Sequence, residues 1–281
     1  MSFLDRIAEC NNWQPAGFRP FLVAATEVGQ VGDAFADRLA DFPDVFRVDA
    51  DAVRLHEELG DFRSRTAAVD AVLRQLADEG LIRGWRDEAY PIATAWGAEA
   101  LLQMERAAVP FFGASSYGVH LNGFVRDGER ILMWIGRRAR DKHTYPGMLD
   151  NTVAGGQPIG LSLRDNLAKE AAEEAAIPRA LADRAVAVGA ISYRHQTAEG
   201  YKPDVQFCYD LELPRDFVPH NTDGEIESFH LWPIEQVAEI VAETRDFKFN
   251  CNLVVIDFLV RHGILDPSRP DYLAIVRGLH R

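Results

Sequence analysis

Residues 154 to 178 read AGGQPIGLSLRDNLAKEAAEEAAIP and carry Asp165, Glu170, Glu173 and Glu174 just behind a glycine-rich turn. Ser162, three residues ahead of Asp165, has the form of a helix N-cap with an acidic partner in the first turn. At 100° per residue, Ala168, Ala171, Ala172 and Ala175 then fall along one side of the helix, and Glu170, Glu173 and Glu174 gather on the other. The alanines let such a helix sit close to a sheet. The glutamates, three and four residues apart, repel one another by about a few tenths of a kcal/mol per pair unless a cation lies between them. Two readings follow: a solvated acidic face, or a set of hard oxygens that holds Mg2+ or Mn2+ and bridges it to substrate phosphates.

The elements around this helix follow from hydrophobic spacing. FRPFLVA (18 to 24) has the apolar content of a short strand, and VGDAFADRLADF (31 to 42) and RTAAVDAVLRQLADEGLI (65 to 82) have helical spacing, the latter stopped by Gly80. GWRDEAYPIAT is extended, and residues 97 to 106 are expected to form another short helix. From about residue 114 the texture changes. YGVHLNGFV and RILMWIGRRA flank RDGE, whose Asp-Gly pair signals a hairpin. AVAVGAISYRHQ, DVQFCYDLEL and SFHLWPI are further strands, and PIEQVAEIVAE and NCNLVVIDFLVRHGIL are closing helices. The expected division is an N-terminal α+β domain over 1–113 and a second domain over 114–281.

The stretch from Gly155 to Ile177 resembles the signature of the Nudix hydrolases, G-x5-E-x7-R-E-U-x-E-E-x-G-U with U a bulky aliphatic residue. Gly155 takes the first glycine, Lys169 and Glu170 the Arg-Glu pair, Ala171 the first U, Glu173 and Glu174 the paired glutamates, and Ile177 the last U. Leu161 stands where the family has its first glutamate, Lys169 replaces arginine, and Ala176 replaces the final glycine. A lysine still pairs with a carboxylate, without arginine's bidentate fork. Asp165 is the nearest stand-in for the missing glutamate. NNWQPAGFRPFLV, GWRDEAYPI, WIGRRARDKHTYPGMLDNTVAGG, DGEIESFHLW and FKFNCNLVVIDFLVRHG extend the likeness to nearly the whole chain. They resemble the long form in which the Nudix domain follows an uncharacterised N-terminal region, in some fungi fused to thiamine pyrophosphokinase.

The resemblance implies an α/β fold, an α/β/α sandwich with a mixed sheet, preceded by the small α+β domain. It also implies Mg2+ or Mn2+ on Glu170, Glu173 and Glu174, steadied by Lys169. The implied reaction cleaves a small organic diphosphate, thiamine diphosphate or a damaged analogue, to a monophosphate plus phosphate. ADP-ribose or NADH hydrolysis, allylic diphosphate isomerisation and a non-catalytic diphosphate sensor are the alternatives. Isomerisation would want a cysteine and a glutamate facing one carbon skeleton.

Other residues carry weaker signals. Glu225 and Glu227 share one face of an extended segment, and the family often uses a glutamate beyond its box, which makes Glu225 the candidate base. Arg137, Arg138 and Lys142, and more weakly Lys202, are candidates for phosphate oxygens. The turn at Gly155 and Gly156 lacks the Lys-Ser/Thr ending of a phosphate loop, yet allows close backbone approach and exposed N–H groups for an anion. Trp85, Tyr90 and Trp134 are candidates to stack on a ring or to fill the core. His120, His143 and His195 occur singly and are assigned to no metal.

Composition bounds these readings. The 281 residues are 47% hydrophobic and 26% charged, enough for one large or two modest globular cores. A formal charge of -13 argues against a nucleic-acid backbone as partner. Cys10, Cys208 and Cys251, odd in number and far apart, form neither a disulfide framework nor a zinc cluster and fit a reducing compartment. The first residues lack the pattern of a secretory signal, and no stretch approaches about 18 apolar residues, so a cytoplasmic location without membrane contact is the expectation. A homodimer is left open.

Overall fold

A computed structural model describes residues 2–142 and 144–281; His143 lies outside the described residues. The first part runs through α1 (Phe3–Cys10), β1 (Phe18–Val23), β2 (Thr26–Gly32), α2 (Asp33–Leu39), β3 (Phe46–Val48), β4 (Val53–Leu55), α3 (Phe62–Asp78), β5 (Ala89–Ile92), β6 (Leu102–Glu105) and α4 (Val109–Phe112). The second comprises β7 (Tyr117–Asp127), β8 (Arg130–Arg138), β9 (Leu149–Asp150), β10 (Val153–Gly156), α5 (Leu163–Ala175), α6 (Arg179–Ala182), β11 (Val186–Gln196), β12 (Tyr201–Glu212), β13 (Ile226–Pro233), α7 (Ile234–Glu243), α8 (Phe249–Arg261) and α9 (Tyr272–Gly278). No described helix is long and apolar enough to cross a membrane.

The second part is an α/β/α sandwich. Its sheet runs β11-β12-β7-β8-β13, with β10 paired to β7 and β9 to β8. It is mixed, because β12 runs parallel to β7 while the other pairings are antiparallel. The β7–β8 hairpin forms at the Asp-Gly signal: Asp127 pairs with Arg130, and Gly128 takes a positive φ of 64°. Val119, Leu121 and Val153 on one face of the sheet pack against Leu167, Ala171 and Ala175 of α5. On the other face, Phe124, Met133, Ile191 and Cys208 meet Val254 and Phe258 of α8 and Val237 of α7.

The first part has its own sheet, β2-β1-β4-β3, and a separate β5–β6 hairpin, closed over a core with Leu73 and Leu76 of α3 and Phe112 of α4. The helix expected over residues 97 to 106 is instead strand β6. Leu102 and Met104 are buried and Gln103 only half-buried, a period of two that pairing with β5 enforces over the local helical preference. Ser2 and Asp5 form a capping box at the start of α1. Phe3, Ile7 and Cys10 of α1 pack into the core of the second part. We propose the division at residue 113 as a domain boundary: two separate apolar cores support it, with α1 as an arm reaching across.

Candidate active site

The acidic helix α5 starts at Ser162, whose hydroxyl accepts the Asp165 N–H at 3.1 Å. Its rotation differs from the alanine-in, glutamate-out expectation at two positions. Ala172 is exposed, and Glu174 is buried among the packed alanines. Glu174 Oε2 accepts the N–H of Ala154 at 2.8 Å, which ties the helix to β10. Glu170 lies one turn earlier against the same strand. A Cβ on Gly155 would come within 2.3 Å of Glu170 Cγ, so only glycine allows this approach. Lys169 Nζ sits between Glu170 Oε1 at 3.1 Å and Glu173 Oε2 at 2.7 Å.

Charge is under-compensated here. Burial pushes the Glu174 carboxyl well above the usual range, and the negative charges of Asp150, Glu170 and Glu225 add to that against the single Ala154 N–H. Burial also raises Glu170, only partly offset by Lys169. Burial would raise Glu225 too, but the Lys142 ammonium that pairs with it outweighs this and holds it below its ordinary value. Desolvated carboxylates with one lysine among them have the chemistry that a hard divalent cation favours. Of the three glutamates on α5, however, the structure brings only Glu170 and Glu173 to the cavity wall: Glu174 is buried behind it, and the ligand atoms of the three do not gather within 4.8 Å of one another.

Glu170, Glu173, Glu225, Gly155 and Gly156 line a cavity of about 580 Å³. Its opposite wall is polar as well. Asp204 of β12, 5% exposed, accepts Ser116 Oγ at 2.7 Å and the Tyr193 hydroxyl at 3.1 Å. The amide nitrogens of Gln206 and Asn250 donate to Tyr193 Oη at 3.2 and 3.3 Å. The two walls meet at Gly118 of β7, which pairs with Gly156 on one side and Gln206 on the other. A Cβ on Gly118 would lie 2.2 Å from Gln206 Oε1 and 2.9 Å from the Gly155 carbonyl. A glycine at that joint keeps the acidic helix and the polar recess in one cavity.

The remaining sequence candidates separate clearly. Arg138 borders the cavity, but its guanidinium is engaged with Asp150 at 2.7 Å and with the carbonyls of Tyr145 and Thr144. Arg137 is outside the lining and donates to the Gly147 carbonyl at 2.8 Å. Glu227 does not share Glu225's surroundings, since β13 is bulged between Ile226 and Ser228, and Glu227 faces Arg140 at the surface. Asp165 does not replace the box glutamate: it is held by Ser162 and Arg179 at the start of α5, away from the cavity. Leu161 is 40% exposed. Ala176, in the glycine position, has φ 51° and ψ 31°, the left-handed conformation that favours glycine.

Trp134 is core. Trp85 stays at the first part's core edge beneath Arg74. Tyr90 is both core and cavity wall. His195 stacks on Phe249. Cys208 and Cys251 are buried and line none of the cavity, which leaves isomerisation without its cysteine.

Sequence reading missed the recess, although Lys202, Asp204 and Gln206 alternate along a predicted strand with period two. It also missed a buried cluster in which His120, Asp150 and Cys251 place ligand atoms within 4.8 Å of one another. Arg138 at 2.7 Å and Lys248 at 3.7 Å already meet the Asp150 charge. Burial opposes ionisation of Asp150, yet Lys248 and Arg138 hold it down at about 2. The cluster is therefore an ion-pair network bracing β7, β9 and α8. His120 Nδ1 lies 2.8 Å from Asn151 Oδ1, and burial, with Lys248 nearby, lowers the imidazole to about 4.

Known proteins share much of this sequence. Residues 2–116 match a family described as a domain of unknown function (DUF4743). The chain is 47% identical to Nudix hydrolase 20, chloroplastic, of Arabidopsis thaliana over 99% of its own length and 77% of the relative's. It is 46% identical to Nudix hydrolase 24, chloroplastic, of the same plant, with the same coverage of 99% and 77%. An uncharacterised protein of Saccharomyces cerevisiae is 33% identical over 85% of this chain and 75% of its own. Among solved structures, the Nudix domain of Shewanella oneidensis NrtR complexed with ADP ribose is 16% identical, covering 53% of this chain and 90% of that one at a TM-score of 0.42. The chloroplastic descriptions of both plant relatives overturn the cytoplasmic expectation, which rested on the pattern of the first residues and on the lack of a long apolar stretch. With this identity over nearly its whole length, the chain belongs to the Nudix hydrolases, enzymes that hydrolyse phosphoanhydride bonds.

Proposed function

We propose that the enzyme cleaves thiamine diphosphate, or a damaged analogue of it, to the monophosphate and phosphate. The observation that carries this reading is the single cavity shared by the acidic helix and the Asp204 recess. Its volume of about 580 Å³ lies within the range of small-molecule sites. Glu170, Glu173 and Glu174 would hold Mg2+ or Mn2+, which when bound polarises the phosphoryl oxygens and lowers the pKa of a water ligand. Lys169 keeps Glu170 and Glu173 together against their mutual repulsion. Glu225, ionised under Lys142, is the carboxylate suited to take the proton of the attacking water. That water's oxygen bonds to the terminal phosphorus as the bond to the bridging oxygen breaks, and the bridging oxygen leaves on the monophosphate. At the other wall, Asp204 accepts from Ser116 and Tyr193 and faces the Lys202 ammonium at 3.8 Å, and its remaining lone pairs are suited to the N–H donors of a heterocyclic ligand.

The reading is tested by 31P NMR of reactions with Mg2+ or Mn2+ on thiamine diphosphate, its oxidised analogues, ADP-ribose and NADH. Monophosphate and phosphate appearing from the thiamine compounds alone is the expected result. Turnover confined to ADP-ribose or NADH would overturn the substrate assignment, and ligand binding without any turnover would favour the sensor.

A further inference from the structure

We infer that the N-terminal part completes the active site by supplying Arg106 as a ligand for the substrate's diphosphate. The inference rests on the reading that this cavity binds a diphosphate, and it gives the region of unknown function a chemical task.

The docking of the two parts is specific. The Ile159 N–H, in the loop between β10 and α5, donates to the Ala89 carbonyl of β5 at 3.0 Å. Tyr90, the next residue, lies against the glycine turn: a Cβ on Gly156 would come within 1.5 Å of Tyr90 Oη and 3.4 Å of Arg106 Cζ. Gly156 is thus glycine because the N-terminal part occupies the space of its side chain. Elsewhere along the contact, a Cβ on Gly200 would lie 2.3 Å from the Pro110 carbonyl, so α4 is seated equally closely on the β11–β12 hairpin.

Arg106 opens the short 3-10 turn after β6. Its backbone N–H donates to the Glu88 carbonyl and its Nη1 to Glu88 Oε2, both at 2.8 Å, which fixes the root and one edge of the guanidinium. The side chain remains 46% exposed and lines the cavity. Among the described residues no other group takes a hydrogen bond from it, and it stands near enough to Glu170 for the two charges to interact. A planar fork with unused donors beside a carboxylate cluster suits a phosphate whose other oxygens face a cation. Arg138, the arginine that sequence favoured, has already spent Nε, Nη1 and Nη2 on protein acceptors.

The experiment compares the wild-type chain with Arg106→Gln and Arg106→Lys, each confirmed folded by thermal melting. Three quantities are measured: KM for thiamine diphosphate, the inhibition constant of thiamine, which has no phosphate, and Mn2+ affinity. Arg106→Gln is expected to raise KM roughly ten- to a hundredfold, the scale of a charge-assisted hydrogen bond. Thiamine inhibition and Mn2+ affinity should stay within about twofold, with Arg106→Lys intermediate in KM. An unchanged KM, or parallel losses in KM, thiamine inhibition and Mn2+ affinity, would overturn the inference, the latter by marking a merely structural arginine. If wild type turns over no diphosphate, the functional reading fails by itself. Calorimetry with inorganic pyrophosphate then decides on Arg106: weaker binding in Arg106→Gln upholds the inference, and equal binding overturns it.

Discussion

His120 should make this protein lose stability over a defined acid window. It is 2% exposed, and burial first, then the neighbouring Lys248 charge, brings its folded pKa to about 4 from an ordinary 6.5. Between those values the unfolded chain takes up a proton that the folded chain refuses, so stability rises with pH across the window. The contribution is therefore complete above pH 6.5 and lost as pH falls toward 4. At about 1.4 kcal/mol per pH unit, the loss is on the order of 3 kcal/mol. Asp150, also depressed but from 3.8 to about 2, has stability present above pH 3.8 and lost below it, outside this window. Glu170 and Glu174 act in the opposite sense, because their raised pKa values make the folded state bind extra protons. Urea unfolding followed by tryptophan fluorescence, with chelator present, at pH 7, 6, 5 and 4.5 gives the profile. The same series on His120→Gln, which keeps a hydrogen-bonding partner for Asn151 without a titrating ring, cancels the carboxylates in the difference. The wild-type minus variant difference should shrink by about 2.4 kcal/mol from pH 7 to 4.5. A difference that stays constant across the series refutes the reasoning.

Ala176→Gly should raise the unfolding free energy measured in urea by roughly 1 kcal/mol, because φ 51° is left-handed at that position. Gly156→Ala should lower both thermal stability and kcat/KM through its clash with Tyr90, and Tyr90→Ala in the same chain should recover part of what the single change loses, as a double-mutant cycle would show. Metal-free Glu174→Gln should melt higher than wild type, since a neutral amide escapes the cost of keeping a buried carboxyl from ionising and still offers an acceptor for the Ala154 N–H. Added Mg2+ at about a hundred times its dissociation constant should stabilise wild type by about 2.7 kcal/mol and leave that variant nearly unmoved in the same melting assay.

How much of this is legible without coordinates depends on range. The α5 helix is written locally, in Ser162 and the alanine spacing, and the β7–β8 hairpin in its Asp-Gly pair. The layered fold follows, since strands with alternating faces and amphipathic helices have few other ways to close a core. Residues 97 to 106 mislead because what makes them strand β6 is the partner β5, not their own propensity. Arg138 and Arg106 show the same limit at the site. One is adjacent in sequence to a promising strand and is consumed by Asp150. The other lies 48 residues before the glycine turn's first alanine and reaches it only through docking of two cores. The three departures from the family signature become intelligible individually. Lysine bridges two glutamates, alanine accepts a left-handed conformation, and Leu161 sits at the surface while Asp165, the nearest carboxylate on α5, is held by Ser162 and Arg179.

The central claim is that buried carboxylates on α5 make a metal-dependent diphosphate hydrolase. Its most direct test is the initial rate of phosphate release from thiamine diphosphate, with Mn2+ affinity measured on the same preparations, for wild type and Glu174→Gln. The account predicts that the variant, folded and melting at or above wild type without metal, loses Mn2+ binding and at least about a hundredfold in rate. A variant that keeps both the ion and the rate would contradict it.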